Sequence, residues 1–207
     1  MTKEERLLEL AKLRQNTRYD GYKCISDYLD KYYECDYVSP YSKSAHNTNT
    51  DVFIVLQDWS SDDNLQGKCE ETNNLGYTPT VRTNINLLEY LRQYLGLELK
   101  DTYATNLFPF VKMGGMSAYL PLRDMRKAAK EFTLPMIHII QPKIVIALGR
   151  KTYDALLKSC DDKKQVSKNS FSYQSSRIFH QPHPAARISN LKKEKGWAAM
   201  KNYLDQC

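Results

Sequence analysis

The sequence predicts an α/β fold, a three-layer α/β/α sandwich built on a mainly parallel four-stranded sheet. Three observations carry that expectation. Short unbroken apolar runs, Val52-Phe53-Ile54-Val55-Leu56 and Ile144-Val145-Ile146-Ala147-Leu148, have the character of strands covered on both faces. Segments with helical spacing of apolar residues separate these runs, and parallel neighbours require such crossovers, almost always right-handed. The chain has 207 residues, 42% of them hydrophobic, enough for one core but not clearly for two.

Taken in order, Thr2 and Glu5 form a capping box, and Leu7, Leu8, Leu10 and Leu13 recur at roughly helical spacing, which predicts a helix over residues 3 to 16. A second helix is expected over about 21 to 34. The polar stretch from Ser42 to Thr50 leads into the first buried strand at Val52. Residues 59 to 80 carry Ser, Asp, Asn, Gly and Pro with little periodicity, and a loop of that length inside a domain is usually functional or disordered. Ile85, Leu87, Leu88, Leu91 and Leu95 mark a helix ending near Gly96, and Thr102 to Asn106 reads as the second strand. After a Gly114-Gly115 loop, a basic helix runs from about Leu122 into Ile140, with Pro135 as its point of interruption. The third strand, Lys143 to Leu148, stops at Gly149. A helix over 151 to 159 and a charged linker, Asp161 to Lys164, precede a fourth strand, Arg177 to His180, and a closing helix fills about 192 to 205. The expected organisation is one domain over 1–207, with N-terminal helices in 1–50 packed on a core formed by 51–207.

The formal charge of +6 and a pI near 8.9 lean towards a polyanionic partner, although 24 acidic residues dilute the signal. No run approaches the 18 to 20 apolar residues of a membrane span, and the first residues lack a signal peptide's apolar stretch. A cytoplasmic protein with no membrane partner, and a monomer, is expected. The five cysteines are scattered without a C-x-x-C pair, which argues against a zinc knuckle or a disulfide framework. Of the 15 tyrosines, most fit half-buried helix positions and a few would suit base stacking.

Ligands of such folds gather at the carboxyl ends of the strands. Strand one ends in Gln57-Asp58, strand two in Asn106, strand three in Gly149-Arg150, and strand four runs into Gln181-Pro182-His183. An acid, a carboxamide and an imidazole at one rim suit cleavage of an N-glycosidic bond, in which the sugar gains positive charge and the departing base gains negative charge. The Asp58 carboxylate would stabilise the sugar cation and orient or deprotonate water. His183 would donate to the departing oxygen, and Asn106 offers the adjacent donor and acceptor that read a pyrimidine edge.

Val55-Leu56-Gln57-Asp58 resembles the water-activating motif G-Q-D-P-Y-H of the uracil-DNA glycosylase superfamily. Thr105-Asn106-Leu107 resembles its base-recognition asparagine, and His183-Pro184-Ala185-Ala186-Arg187 its H-P-S-P-L loop. The resemblance covers about residues 51 to 190. It implies catalytic roles for Asp58 and His183, pocket-lining and base-reading roles for Gln57 and Asn106, and a place for Arg187 where the family's intercalating leucine sits. Leu148-Gly149-Arg150-Lys151 resembles the glycine turn whose backbone amides hold a DNA phosphate. The implied partner is DNA, double-stranded with a flipped base, and the implied enzyme is a monofunctional glycosylase, since no lysine occupies a motif position.

The departures carry information of their own. Trp59 and Ser60 replace the family's proline and tyrosine, and that tyrosine is the wall that excludes substituents at the pyrimidine's fifth carbon. A serine there predicts a pocket open to a 5-substituted pyrimidine, with Tyr77 as a stacking platform, in base-excision repair or in defence against phage DNA carrying modified bases. The cysteines that hold an iron–sulfur cluster in some branches are missing at matching spacing, so no cofactor is expected. No metal is expected either, because the H-x-x-H of His180 and His183 lacks a carboxylate cluster. Taken singly, Asp58 reads equally well as a cap or turn former, and Gly149 as a helix-entry glycine. The alternative function is a catalytically silent DNA- or base-binding relative of the same fold. A nucleotide-binding α/β protein is disfavoured because no G-x-G-x-x-G follows the first strand.

Overall fold

The computed structural model describes residues 1–206. In chain order the strands are β1 (Tyr22–Lys23), β2 (Val52–Asp58), β3 (Tyr103–Phe108), β4 (Val111–Lys112), β5 (Ile144–Leu148), β6 (Lys164–Ser167), β7 (Ser170–Tyr173) and β8 (Ser176–Gln181). The α-helices are α1 (Lys3–Asn16), α2 (Glu70–Leu75), α3 (Arg82–Tyr90), α4 (Leu122–Ala128), α5 (Leu134–Ile140), α6 (Arg150–Ser159) and α7 (Asn190–Gln206). The main sheet runs β3-β2-β5-β8-β7-β6, its first four strands parallel and the last two an antiparallel hairpin on the β8 edge.

The α/β expectation therefore holds with a correction, six strands in place of four. The extra pair begins at the end of the charged linker, at Lys164, and fills a stretch before Arg177 to which the sequence pattern assigns no element. All four positions of β6 are exposed, so it has no apolar run to announce it and is held by pairing with β7, whose Phe171 is fully buried.

Alternation along the central strands explains why their sequence is apolar at every position. Phe53 and Val55 of β2, with Val145 and Ala147 of β5, face the helices α1, α4, α5 and α6. Val52, Ile54 and Leu56, with Ile144, Ile146 and Leu148, face Leu87 and Leu91 on one side and Trp197 and Met200 of α7 on the other. A strand covered on both faces has no polar side to show.

Helix α1 begins with the Thr2–Glu5 capping box. The helix expected over 21 to 34 is replaced by β1 and two short 3-10 turns, Ile25–Asp27 and Leu29–Lys31. Leu29, Asp30 and Lys31 all take positive φ (50°, 56° and 66°), which ends any helix. Burial wins over propensity here: Ile25, Tyr28 and Tyr33 pack with Leu65 and Val111, joining this segment to the long loop and to β4, the partner of β1. At Pro135 the helix does not stop. A wide π turn, Ala129–Thr133, separates α4 from α5 and absorbs the missing N–H and the ring clash. The loop expected over 59 to 80 holds a 3-10 turn, Asp62–Leu65, and α2. Among the described residues no helix is long and apolar enough to cross a membrane, and Cys24, Cys35, Cys69 and Cys160 are free thiols. Cys207 lies outside the described residues.

Candidate active site

Parallel neighbours bring their carboxyl ends to one edge of the sheet. With β3 on one side of β2 and β5 on the other, the strand order reverses at β2 while the strands stay parallel, and a crevice opens above it. Asp58 closes β2. Asn106 stands two residues inside β3, opposite Leu56, because the strand continues to Phe108, which is a correction to the expected strand end. Gly149 follows β5 directly, and His183 lies two residues beyond β8.

The crevice is a cavity of about 440 Å³, and its wall includes all of Gln57, Asp58, Trp59, Ser60, Tyr77, Asn106 and His183. Residues spread over more than 120 positions of sequence thus meet in one place, as the strand-end reading expects. The Asp58 side chain is nearly enclosed, at 6% exposure. Its Oδ1 accepts from Gln57 Nε2 at 2.9 Å, and its Oδ2 lies 2.6 Å from the Lys112 ammonium. A lysine therefore does stand against the catalytic carboxylate, although it occupies none of the motif positions. It sits behind the carboxylate rather than in the cavity wall.

Asn106 is buried, and its Oδ1 accepts from the Ser39 hydroxyl at 2.6 Å. This bond fixes the amide orientation and leaves Nδ2 as the group turned to a ligand. His183 lines the cavity and is exposed at its rim. Its Nδ1 accepts from the Ala185 N–H at 3.3 Å, which places the proton of a neutral ring on Nε2. Burial against the surrounding protein pushes its pKa below the ordinary value, and the Asp58 carboxylate pulls weakly the other way. The imidazole is accordingly neutral near pH 7.

Trp59 donates from Nε1 to the Gly76 carbonyl at 2.8 Å and meets the Tyr33 ring edge-on. Tyr77 stacks on Tyr41 with centroids 5.3 Å apart, and Tyr41 donates to Asn84 Oδ1. Sequence reasoning missed Ser39, Tyr41, Asn84 and Lys112. The Ser39-Pro40 pair that opens a 3-10 turn is a readable cap signal, but its reach to Asn106 is a tertiary contact that local pattern cannot announce.

Gly149, Arg150, Lys151 and Arg187, the expected DNA-contacting set, lie outside the cavity lining. Gly149 has φ 92° and ψ 150°, a conformation essentially closed to residues with a Cβ. A Cβ built there would lie 4.0 Å from that of His183, so the turn borders the site. The Gly149 N–H is spent on the Gln181 carbonyl at 2.8 Å, which passes any anion-holding role to the amides of the first turn of α6. Arg150 pairs with Asp154 at 2.8 Å, Lys151 lies over the Tyr119 ring, and Arg187 is exposed just beyond His183. His180 packs edge-on against Tyr153. Among the described residues, no group of three His, Cys, Asp or Glu is placed to hold a metal ion.

One family model, described as the uracil DNA glycosylase superfamily, matches residues 66–206. No curated protein matches the chain. The matched stretch contains Asn106, Gly149, His183 and Arg187 but begins after Asp58, whose place at the site rests on the cavity geometry.

Proposed function

The chain belongs to the uracil DNA glycosylase superfamily, and from that premise we propose that it is a monofunctional DNA glycosylase that hydrolyses the N-glycosidic bond of a flipped-out, 5-substituted pyrimidine to leave an abasic site. The observation that carries this is the convergence of Asp58, Asn106 and His183 on one cavity. In the proposed reaction a base enters the cavity and its edge meets Asn106 Nδ2. As the glycosidic bond lengthens, the Asp58 carboxylate stabilises the cationic sugar and orients the attacking water, while the neutral His183 donates from Nε2 to the oxygen gaining negative charge. Arg187 and the first turn of α6 hold the duplex, the former entering the gap left by the base or gripping a phosphate.

Two features favour a substituted base. Ser60, not a bulky ring, forms the wall beside Trp59. The cavity also extends past the base-reading amide to Tyr41, Thr72, Thr78, Thr83 and Asn84, and its size lies in the range of roughly 300 to 1,000 Å³ typical of sites for sizeable ligands. The test is a panel of duplexes carrying uracil, thymine, hydroxymethylcytosine or glycosylated hydroxymethylcytosine, scored for alkali-labile sites with wild type, Asp58→Asn and His183→Ala. Cleavage of the substituted bases that is lost in both variants supports the proposal. Cleavage of uracil alone refutes the widened pocket.

The second reading, a silent base-binding relative, draws on the Lys112–Asp58 pair, since an ammonium at 2.6 Å offsets the charge that a catalytic carboxylate offers. Retained binding of the modified duplex with no cleavage by wild type would favour it. The proposed setting is the removal of modified bases, in repair or against phage DNA. A plaque assay against phages with and without modified cytosine separates the two, because only defence predicts fewer plaques of the modified phage.

A further inference from the structure

Among the described residues, Lys112 is the cation paired with Asp58 at this site, and nothing in the motif pattern accounts for it. Its side chain is 3% exposed although it stands on the short strand β4, which pairs only with β1 in a separate two-stranded sheet and meets the main chain beyond β2 through a bridge to Ser61. A buried ammonium is costly unless its surroundings compensate it. Here two partners do so, the Asp58 Oδ2 at 2.6 Å and the Met116 carbonyl. Asp58 Oδ2 is itself shut off from solvent and accepts no hydrogen bond of regular geometry, so the ammonium is its compensation.

The two carboxylate oxygens are thus treated differently. Lys112 takes Oδ2 from behind, and Gln57 holds Oδ1 from the side at 2.9 Å. A carboxylate gripped at both oxygens cannot rotate about its terminal bond, so the lone pair of Oδ1 left over by Gln57 is the one offered to the cavity. Lys112 also ties a loop to the same carboxylate. Met116 lines the cavity, its carbonyl accepts from Lys112, and Gly114 of the same loop accepts from the Asp63 N–H. Movement of this loop would therefore be felt at Asp58.

We propose that Lys112 is a positioning residue that, with Gln57, fixes the rotation of the Asp58 carboxylate and couples it to the Gly114–Met116 loop; this rests on the glycosylase reading above. Lys112 is not a nucleophile. The residue is absent from the cavity wall, and its ammonium is engaged by the Asp58 carboxylate and the Met116 carbonyl.

The experiment measures single-turnover abasic-site formation and duplex affinity for wild type, Lys112→Arg, Lys112→Met, Asp58→Asn and the double variant Asp58→Asn/Lys112→Met, each checked for cooperative unfolding. Lys112→Met is expected to lose about 100-fold in rate with affinity within about threefold, the scale of a misplaced catalytic group, and Lys112→Arg to recover most of it. The double variant is expected to be no slower than Asp58→Asn alone, because Lys112 acts through that carboxylate. Should Lys112→Met not fold, the double variant, which buries no lone charge, still reports the coupling. A wild-type rate in Lys112→Met, or losses that multiply in the double variant, overturns the proposal while leaving the glycosylase reading intact. A borohydride-trapped adduct with DNA that forms only when Lys112 is present overturns the positioning role and the monofunctional reading together. A wild type that cuts no substrate of the panel overturns the glycosylase reading, and the role of Lys112 falls with it.

Discussion

His183→Ala removes a single donor whose identity the structure fixes. The Ala185 N–H occupies Nδ1 at 3.3 Å, so the neutral ring has one proton to give, on Nε2. Burial holds the pKa below its ordinary value, so near pH 7 the ring enters the reaction as a neutral donor and the leaving base receives a hydrogen bond rather than a full proton. Loss of one preorganised donor to a developing oxyanion costs on the order of 100- to 1,000-fold in rate, or about 3 to 4 kcal/mol of transition-state stabilisation. The ground state has little negative charge on that oxygen, so substrate affinity should change by only a few fold. The assay is single-turnover cleavage of a duplex with one modified pyrimidine, quenched in alkali. A second substrate, bearing an electron-withdrawing group that makes the base a better leaving group, should shrink the deficit, since such a base needs less help. A His183→Ala enzyme within threefold of wild type, or an equal deficit for good and poor leaving groups, would refute the assignment.

Four further outcomes are expected. Ser39→Ala frees Asn106 Oδ1 from its 2.6 Å bond, so the amide can turn over and discrimination between bases should weaken by about 1 kcal/mol, near fivefold, in competitive cleavage. Gly76→Ala is expected to unfold the pocket wall: its φ is +77° and its Cβ would meet the Pro40 carbonyl oxygen at 1.8 Å, while the Gly76 carbonyl anchors Trp59. A Tm within about 2 °C of wild type would contradict this. Burial lowers the pKa values of both His180 and His183 below the ordinary imidazole value of about 6.5. Their neutral forms stabilise the fold above that value and this contribution disappears as the pH falls through the lowered one, so Tm should drop as the pH is taken below the ordinary imidazole range, and drop less in His180→Gln. Arg187→Ala should reduce the slope of log affinity against log salt by about 1 if the guanidinium meets phosphate, and leave the slope unchanged if it acts as a wedge.

The parts of this protein that were legible in its sequence are those fixed by short-range physics. The central strands announce themselves because both faces are covered, so that Phe53, Val55 and Ile54 must all be apolar. Asp58 and His183 are legible because polar residues that follow such runs stand at the edge where parallel strands end together. The Thr2–Glu5 cap is legible because its two partners are three residues apart. By contrast, Ser39 meets Asn106 across 67 residues, and Lys112 looks like any basic residue after a short apolar stretch until β4 turns it onto Asp58. The stretch from residue 21 to 34 misleads because its tyrosines and isoleucine are spaced acceptably for a helix, yet they are buried by turns with positive φ. Strand β6 is hidden for the opposite reason, being exposed along its whole length.

The distribution of charge also bears on how such a site would favour a transition state over a bound base. On the side that would face the base, the groups are uncharged donors, Asn106 Nδ2 and His183 Nε2–H. On the other side stands a carboxylate already matched by an ammonium. A neutral pyrimidine entering such a cavity meets no unbalanced charge and is not held strongly before reaction. Bond cleavage then creates one charge opposite the donors and one opposite Asp58, and both interactions strengthen together as the bond lengthens. The Lys112 pair weakens the field of Asp58 on the sugar, but it also holds the carboxylate in one rotation. Under the proposed reaction, the lysine trades some electrostatic pull for a carboxylate that is in place when the sugar cation forms.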